Sequence, residues 1–206
     1  MPTDLLIRCR CGAVRGVVRG ASCKTGNRVI CYCDDCQTFA NFLSTAGQIL
    51  DAHGGTDVFM ISPARLKITQ GIDRLACVRV TPKGPLRWYT DCCKTPIGNT
   101  PPTSKLPFVG LIHSCMDPES RSLNQVIGHV RSHAMAQYAR GDLAGINTYK
   151  RFPLYNQALI IWKIFIWRIR GDDKHSPFFD PKTGDPVSSP QFLGNNQRSG
   201  RHTSIY

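Results

Sequence analysis

Short apolar runs separated by Gly and Pro residues dominate the first 115 residues of the chain. The runs are four to six residues long and rich in β-branched and aromatic side chains, which favours strands over helices. They predict eight strands, at Leu5–Arg8, Val14–Val18, Arg28–Tyr32, Val58–Ile61, Leu66–Thr69, Leu75–Val80, Leu86–Thr90 and Phe108–His113. The fold is therefore expected to be mainly β, with short antiparallel strands.

Helical signals before residue 150 are few and short. Asp34 or Asp35 is expected to cap a short helix through Phe39–Leu43, because acidic side chains favour helix N-termini. A second short helix is predicted over Ser132–Arg140.

A longer helix is predicted to open at Pro153 and to end before Gly171, since this placement of Pro and Gly is typical of helix boundaries. Asn156, Lys163 and Arg170 lie seven apart in an almost wholly apolar segment, so they form one narrow polar stripe. The segment is too short to span a bilayer, and no membrane span is expected. We expect the helix to pack on the sheet. Oligomerisation through the apolar helix 154–170, or a membrane-surface helix, is the alternative.

The segment after His175 is rich in Pro, Ser, Asn and Gly, with Phe178, Phe179 and Phe192 scattered through it. It is predicted to be extended, pinned by its aromatic residues and frayed at its end. Residues 121–206 are expected to be a helical extension and tail that pack on a β domain of residues 1–120, as one structural unit.

Ten cysteines distinguish this chain of 206 residues from an ordinary globular protein. No basic segment followed by a long apolar run occurs near Met1, so a cytoplasmic location is predicted. In a reducing compartment, this many cysteines in a chain of this length indicate metal binding before disulfides.

The formal net charge of +12 admits an acidic partner, such as nucleic acid or an anionic small molecule. The basic residues are spread along the chain, with no run of five. Nucleic acid is therefore not the favoured partner.

The cluster Cys31-Tyr-Cys33-Asp-Asp-Cys36 is the sharpest local signal. Three thiolates within six residues can face one point if the chain turns at Asp34-Asp35. Zinc–sulfur distances of about 2.3 Å require ligands from tight loops of this kind. The cluster is predicted to hold a zinc ion. Free thiols or a disulfide are the alternatives, which the density of thiols and a reducing compartment disfavour.

Cys9-Arg-Cys11-Gly12 supplies two more thiolates and needs two further ligands. Cys92 and Cys93 are the best candidates, because the intervening strands can return this pair alongside the first. Consecutive residues on a strand point to opposite faces, so both can bind one ion only where the backbone is bent. A four-thiolate site is predicted, with another group in place of Cys92 or Cys93 as the alternative.

The remaining cysteines and histidines carry weaker signals. Cys77 and Cys115 are expected in the core, and Cys23 lies in a loop from which it can approach either cluster. His129 and His133 are four apart, but no Glu accompanies them in a zincin pattern. A solvated or packed pair is therefore favoured over a ligand pair.

The chain resembles the glutathione-dependent formaldehyde-activating enzyme family, also called the centromere protein V domain, over roughly residues 5–115. The resemblance is carried by three motifs, which are, in order, Cys9-Arg-Cys11-Gly12-Ala-Val14, Cys31-Tyr-Cys33-Asp-Asp-Cys36 and Gly84-Pro-Leu-Arg-Trp-Tyr-Thr-Asp-Cys92-Cys93-Lys-Thr-Pro96-Ile-Gly98. The family's last motif is C-x-x-C followed by Gly. Alignment on Thr95-Pro96 instead places Cys93 at the second cysteine and Thr90 at the first. The chain resembles a divergent member with a C-terminal extension.

The resemblance implies a mostly β "tent" fold with two zinc ions per chain. One ion would be structural and held by the four cysteines of the first and last motifs. The other would be held by the middle motif, at Cys31, Cys33 and Cys36, and would stay open to substrate. The implied activity is that of a carbon–sulfur lyase, in which glutathione and formaldehyde form S-hydroxymethylglutathione.

The number and type of the zinc ligands help to distinguish between two candidate functions. A three-thiolate site leaves one position free, and its zinc is a weak Lewis acid that suits a substrate thiol better than water activation. This favours a zinc-dependent, carbon–sulfur lyase-like enzyme that acts on a glutathione-like thiol and a small aldehyde such as formaldehyde. The alternative is a non-catalytic, zinc-supported module that binds nucleic acid or protein.

Overall fold

The computed structural model describes residues 2–193, which form two β-sheets with helices packed against them. In chain order the elements are β1 (Thr3–Arg8), β2 (Arg15–Ala21), β3 (Asn27–Cys31), α1 (Asp34–Phe42), α2 (Ala46–Ile49), β4 (Thr56–Ile61), β5 (Leu66–Gln70), β6 (Leu75–Arg79), β7 (Leu86–Thr90), β8 (Pro96–Thr100), β9 (Val109–Ile112), β10 (Met116–Asp117), α3 (Leu123–Ile127), β11 (Ser132–Ala134), β12 (Thr148–Tyr149), α4 (Leu154–Ile169) and β13 (Gln191–Phe192). The prediction of a mainly β fold with a helical C-terminal part is confirmed.

The first sheet has the strand order β10-β1-β2-β5, and the second has the order β12-β11-β3-β4-β9-β8-β7-β6-β13. Most neighbours are antiparallel. The pairs β11–β3, β11–β12 and β13–β6 are parallel, so the expectation of antiparallel strands throughout is wrong at both ends of the second sheet. These strands return to the sheet after long connections, and only a tight hairpin requires an antiparallel partner.

All eight predicted strands are present, with ends that differ from the prediction by at most three residues. β8 was missed because Pro96, Gly98 and Asn99 are poor strand formers. Its place between β7 and β9 supplies the backbone partners that its own residues do not predict.

The second sheet is buried on both faces. Trp88 of β7 and Leu111 of β9 share a core with Leu5 of the first sheet. The next residue on each strand, Tyr89 and Ile112, lies in a separate apolar cluster with residues of α1 and α2. Because side chains alternate along a strand, β7 carries one set toward the first sheet and the other toward α1.

Two of the short-helix predictions need correction. The N-cap of α1 is Cys33 and makes no side-chain capping bond, so Asp34 and Asp35 lie in the first turn rather than at the cap. The helix over Ser132–Arg140 is wrong. Its first residues form β11 on the free edge of β3, and a short 3₁₀ turn follows at Ala136–Tyr138.

The long helix α4 is confirmed, with Pro153 at its N-cap and Gly171 after its end at φ +75°. An apolar helix usually turns its apolar face toward the protein, but α4 turns polar residues inward. Asn156 is buried and donates a hydrogen bond to Ser132, and Lys163 donates to the Lys24 carbonyl. Asn156 and Lys163 of the polar stripe therefore face the protein, and most of the apolar face of the helix is exposed. None of the helices within residues 2–193 combines the length and apolar character that crossing a membrane requires.

The aromatic residues of the tail differ in their burial. Phe178 and Phe179 are buried against Trp88, with the Phe178 and Trp88 ring centroids 4.9 Å apart, which confirms that they pin the segment. Phe192 is exposed in β13. The frayed end predicted for the tail lies outside the described residues.

Candidate metal centres

Four sulfur atoms from two distant hairpins meet at one point. Cys9 and Cys11 lie in the β1–β2 connection, and Cys92 and Cys93 lie in the β7–β8 connection. The Sγ–Sγ distances are 3.5 Å for Cys9–Cys11, 3.4 Å for Cys11–Cys92, 3.9 Å for Cys92–Cys93 and 4.0 Å for Cys9–Cys92. A tetrahedral ion with zinc–sulfur bonds of about 2.3 Å needs sulfurs about 3.8 Å apart. The four residues therefore fit a closed metal site.

The backbone at Cys92 and Cys93 is bent, which is the condition for both to reach one ion. The Thr90 N–H donates to the Thr95 carbonyl at 2.9 Å, and the Lys94 N–H donates to the Thr90 carbonyl at 2.9 Å. Lys94 has φ +56°, in the left-handed region that closes tight turns. The pair therefore lies on a turn instead of a strand, and its two sulfurs point the same way without a substitute ligand.

Hydrogen bonds hold the two hairpins together independently of an ion. The Arg10 N–H donates to Thr95 Oγ1 at 3.0 Å, and Arg10 Nη2 donates to the Cys93 carbonyl at 2.8 Å. The Val14 N–H donates to Cys9 Sγ at 3.2 Å, a contact that favours the thiolate. The site is therefore preorganised by its own backbone.

Three of the thiols, those of Cys9, Cys92 and Cys93, have shifted pKa values. Burial opposes ionisation of Cys93, but hydrogen bonds from Thr90 and Thr95 outweigh it and lower the pKa of this thiol to about 5. Burial raises the pKa of Cys9 and raises that of Cys92 to about 12. Because a metal binds thiolates, loading this site must release protons, and its affinity must rise with pH.

The second cluster lies where β3 passes into α1. Cys31 ends β3, Cys33 is the N-cap of α1, and Cys36 lies in the first helical turn. Their sulfurs all lie within 4.8 Å of one another, and no further Cys, His, Asp or Glu within residues 2–193 joins them. Cys23 is elsewhere, on an exposed loop with its Cβ against Gly128. The three sulfurs can hold a metal ion that keeps one coordination position free.

Arg87 lies beside this cluster and was missed by the sequence analysis. Its side chain is only 3% exposed, and its Nη1 lies 3.6 Å from Cys36 Sγ and 3.2 Å from Asn99 Oδ1. Its Nη2 lies 3.7 Å from an Asp35 carboxylate oxygen. The sequence did contain a sign of this contact. Arg87 lies within an otherwise apolar strand, and a charged side chain in such a place needs a buried partner.

The surroundings favour a thiolate at Cys36. Hydrogen bonds from Cys31 and Cys33, and then the positive charge of Arg87, hold the pKa of Cys36 well below its ordinary value despite complete burial. The N-terminus of α1 adds a positive partial charge at the same place. The burial of Arg87 would be costly without this negative charge to face.

The remaining predicted residues take ordinary places. Cys77 and Cys115 are buried in the core, as predicted. His133 stacks on Tyr32, whose hydroxyl lies 3.1 Å from His133 Nδ1, while His129 is exposed. The two histidines are not a ligand pair.

A cavity of about 520 Å³ opens beside the four-cysteine cluster and is lined by Cys9 and Thr95. Its walls also carry Thr45, His113 and Ser114, each with a buried polar atom that has no hydrogen-bond partner within residues 2–193. None of the three cysteines at the end of β3 and start of α1 lines it, so this cavity does not serve the open cluster.

In a comparison with known protein families, residues 1–190 match the model of DUF6151, which is described as a family of unknown function. A search of the curated proteins found no match. Among solved structures, the chain is similar to a Rhodobacter sphaeroides protein determined as a Northeast Structural Genomics target. That alignment has a TM-score of 0.39 and 16% identity, and it covers 62% of this chain and 97% of the other.

Proposed function

We propose a function for this chain, which belongs to the DUF6151 family, from the chemistry of its three-cysteine cluster. The chain would be a zinc-dependent, carbon–sulfur lyase-like enzyme that joins a glutathione-like thiol to a small aldehyde such as formaldehyde, and reverses that reaction. The observation that carries the proposal is the group of Cys31, Cys33 and Cys36, which has no fourth protein ligand among residues 2–193.

The donor set is consistent with such chemistry. Cys31, Cys33 and Cys36 would hold the zinc ion, and the ion would supply one open position for a substrate thiol and would lower the pKa of that thiol. In the reaction, a sulfur electron pair forms the bond to the carbonyl carbon, and the proton lost by the thiol ends on the former carbonyl oxygen. The product is a hemithioacetal, so atoms balance without an oxidant or reductant.

The chain's own residues would tune the charge at this position. Three thiolates around a divalent cation leave one negative charge, and Arg87 faces Cys36 with one positive charge. This compensation reduces the repulsion that a fourth thiolate, that of the substrate, would meet on approach. Asp35 is partly exposed and therefore offsets the guanidinium only in part.

Cobalt substitution tests the proposal directly. Glutathione is titrated into the cobalt-loaded protein while the sulfur-to-cobalt charge-transfer band is recorded. We expect the band to grow as the thiol binds, because each added thiolate contributes to it. Cys33→Ser should abolish the growth, while Cys23→Ser, the change of an exposed cysteine outside both clusters, should leave it intact.

Formation of the hemithioacetal is then followed by NMR with formaldehyde and glutathione at equal concentrations. The wild-type protein should speed the reaction relative to Cys33→Ser. An unchanged cobalt spectrum at millimolar thiol, or equal rates for the two proteins, would sink the carbon–sulfur mechanism. In that case the non-catalytic binding module would be the better description.

A further inference from the structure

The outward face of α4 is an exposed apolar ridge. Its residues are Leu154, Ile161, Trp162, Phe165 and Ile169, whose exposed fractions are 81%, 66%, 61%, 55% and 68%. They recur at helical spacing and lie on one side of the helix, opposite the buried Asn156. A continuous apolar surface of this kind marks a contact site, because single exposed apolar residues rarely line up along four turns.

A basic groove runs beside the ridge. It has a volume of about 320 Å³ and carries the cationic side chains of Lys24, Arg65, Lys163 and Arg170. Its apolar wall includes Trp162, which also belongs to the ridge. In the part of the chain that the structure describes, no acidic residue lines the groove.

The four cations of the groove have no acidic partner among the described residues. Within residues 2–193, none of them forms an ion pair, and Arg65 and Lys163 donate instead to the carbonyls of Arg19 and Lys24. The two acidic residues after the helix are already engaged: Asp172 accepts a hydrogen bond from Ser62, and Asp173 pairs with Arg168. The groove therefore presents an uncompensated positive charge.

We propose that this face docks on an anionic lipid bilayer, with a lipid phosphate in the groove and the ridge among the acyl chains next to the headgroups. Apolar residues with Trp and Phe on one face and Lys and Arg beside them are the pattern of helices that lie in the membrane interface. Each Lys or Arg near an anionic surface adds about 1 kcal/mol, which is about fivefold in affinity.

Charge decides against a second copy of the chain as the occupant. In an isologous contact, the ridge and the groove of one copy would face the same surfaces of the other. In an antiparallel arrangement of the two helices, Arg170 would then approach the cations before the start of the helix, Lys150 and Arg151, with no acidic residue of α4 to offset them. A bilayer with anionic headgroups supplies the missing negative charge along with an apolar layer.

The fluorescence of Trp162 gives a direct assay. The chain has three tryptophans, of which Trp88 lies in the core, Trp167 is buried in the wall of the groove and Trp162 is exposed, so a blue shift on transfer to an apolar environment comes mainly from Trp162. The full-length protein is mixed with phosphatidylcholine vesicles that contain or lack phosphatidylserine. We expect a blue shift and cosedimentation with the anionic vesicles, and loss of both as the salt concentration rises.

Paired variants separate the two parts of the surface. Lys24→Gln with Arg170→Gln should weaken vesicle binding about 25-fold, from about fivefold for each cation. Lys83→Gln with Lys182→Gln changes the net charge equally at exposed positions outside the groove and should alter binding far less. Ile161→Ser with Phe165→Ser should weaken binding at least as much as the groove pair. The matched control, Ile72→Ser with Val187→Ser, should have little effect.

Three results would overturn the proposal. One is equal binding to vesicles with and without phosphatidylserine, or none to either. Another is a shift of the Trp162 spectrum by inorganic phosphate alone without vesicle binding, which would identify a site for a soluble anion. The last is a dimer in light scattering that Ile161→Ser with Phe165→Ser converts to a monomer, which would assign the ridge to a contact between copies.

Discussion

Arg87 gives the open cluster a different electrostatic character from that of three isolated cysteines. It is buried, and its guanidinium lies between Cys36, Asn99 and Asp35, with the ring of Phe39 at 5.7 Å. A buried cation in this position stabilises the thiolate form of the cluster. In turn, the cluster supplies the negative charge without which Arg87 would destabilise β7.

Arg87→Gln should therefore lower the free energy of unfolding by about 1.5–3 kcal/mol, the usual cost of losing a buried hydrogen bond to a charged group. The measurement is urea unfolding of the metal-loaded protein. Arg74→Gln is the matched control, because Arg74 is half-exposed and faces Asp73 and Asp91 at 3.7 and 3.9 Å. Its loss should cost less than about 0.5 kcal/mol. Equal effects for the two variants would contradict the role assigned to Arg87.

At the residue scale, the sequence predicted which cysteines cluster but not which other side chains surround them. The spacing of Cys31, Cys33 and Cys36 predicted their convergence because the three residues are local. Arg87 could not be placed, since its partner is set by which face of β7 meets α1. The adjacent pair Cys92 and Cys93 left two alternatives open, and only the turn geometry decides between them.

Among elements, the four-cysteine cluster connects the two sheets. It joins the β1–β2 hairpin of the first sheet to the β7–β8 hairpin of the second, across more than 80 residues of chain. The three-cysteine cluster instead joins neighbouring residues at the end of β3 and the start of α1. A metal ion at the first cluster therefore restrains the relative position of the sheets, and an ion at the second restrains one connection.

Loss of one cysteine from each cluster should have unequal effects on stability. We expect Cys11→Ser to lower the melting temperature strongly, because binding free energy at a closed site is folding free energy, on the order of 10 kcal/mol in zinc-finger peptides. Cys33→Ser should leave the protein folded. Thermal unfolding of the two variants measures this difference. The zinc content of each variant, from metal analysis, should fall from two ions per chain to one. The opposite order of melting temperatures would exchange the structural and open sites.

Periodicity predicted single helices and strands well, but it predicted poorly which elements pack or pair with one another. The apolar runs identified β1, β2 and β7 of the two hairpins but not β8, and Pro153 with Gly171 identified the ends of α4. The short strand Ser132–Ala134 had no signal of its own, because it forms by pairing with the edge of β3. The exposure of the apolar face of α4 was likewise hidden, since periodicity reveals two faces and not which one meets the protein.

In the whole molecule, the C-terminal part extends the second sheet, which the N-terminal part begins. β11 pairs with β3 at one end of that sheet, and β13 pairs with β6 at the other. Phe178, which comes after α4, lies fully buried over Trp88 in the core between the sheets. Residues 121–193 thus contribute core as well as surface.

Removal of one tail aromatic should measure this contribution. Phe178→Ala should lower the free energy of unfolding by about 3–5 kcal/mol, the range for a buried Phe, because it leaves a cavity over Trp88. Phe192→Ala removes the same group from an exposed position and should cost less than about 1 kcal/mol. Denaturant titration distinguishes the two. If the first variant is as stable as the second, the tail is not part of the core.

The pairing of β11 with β3 has a consequence for biosynthesis. Residues 29–31 leave the ribosome early, but their parallel partners are residues 132–134. Until that later segment emerges, the nascent chain carries an unpaired strand edge next to three free thiols. Such an edge can pair with another chain, and such thiols can cross-link it. The yield of native protein should therefore depend on how quickly translation covers the hundred residues between the two strands, and on the reducing power around the ribosome.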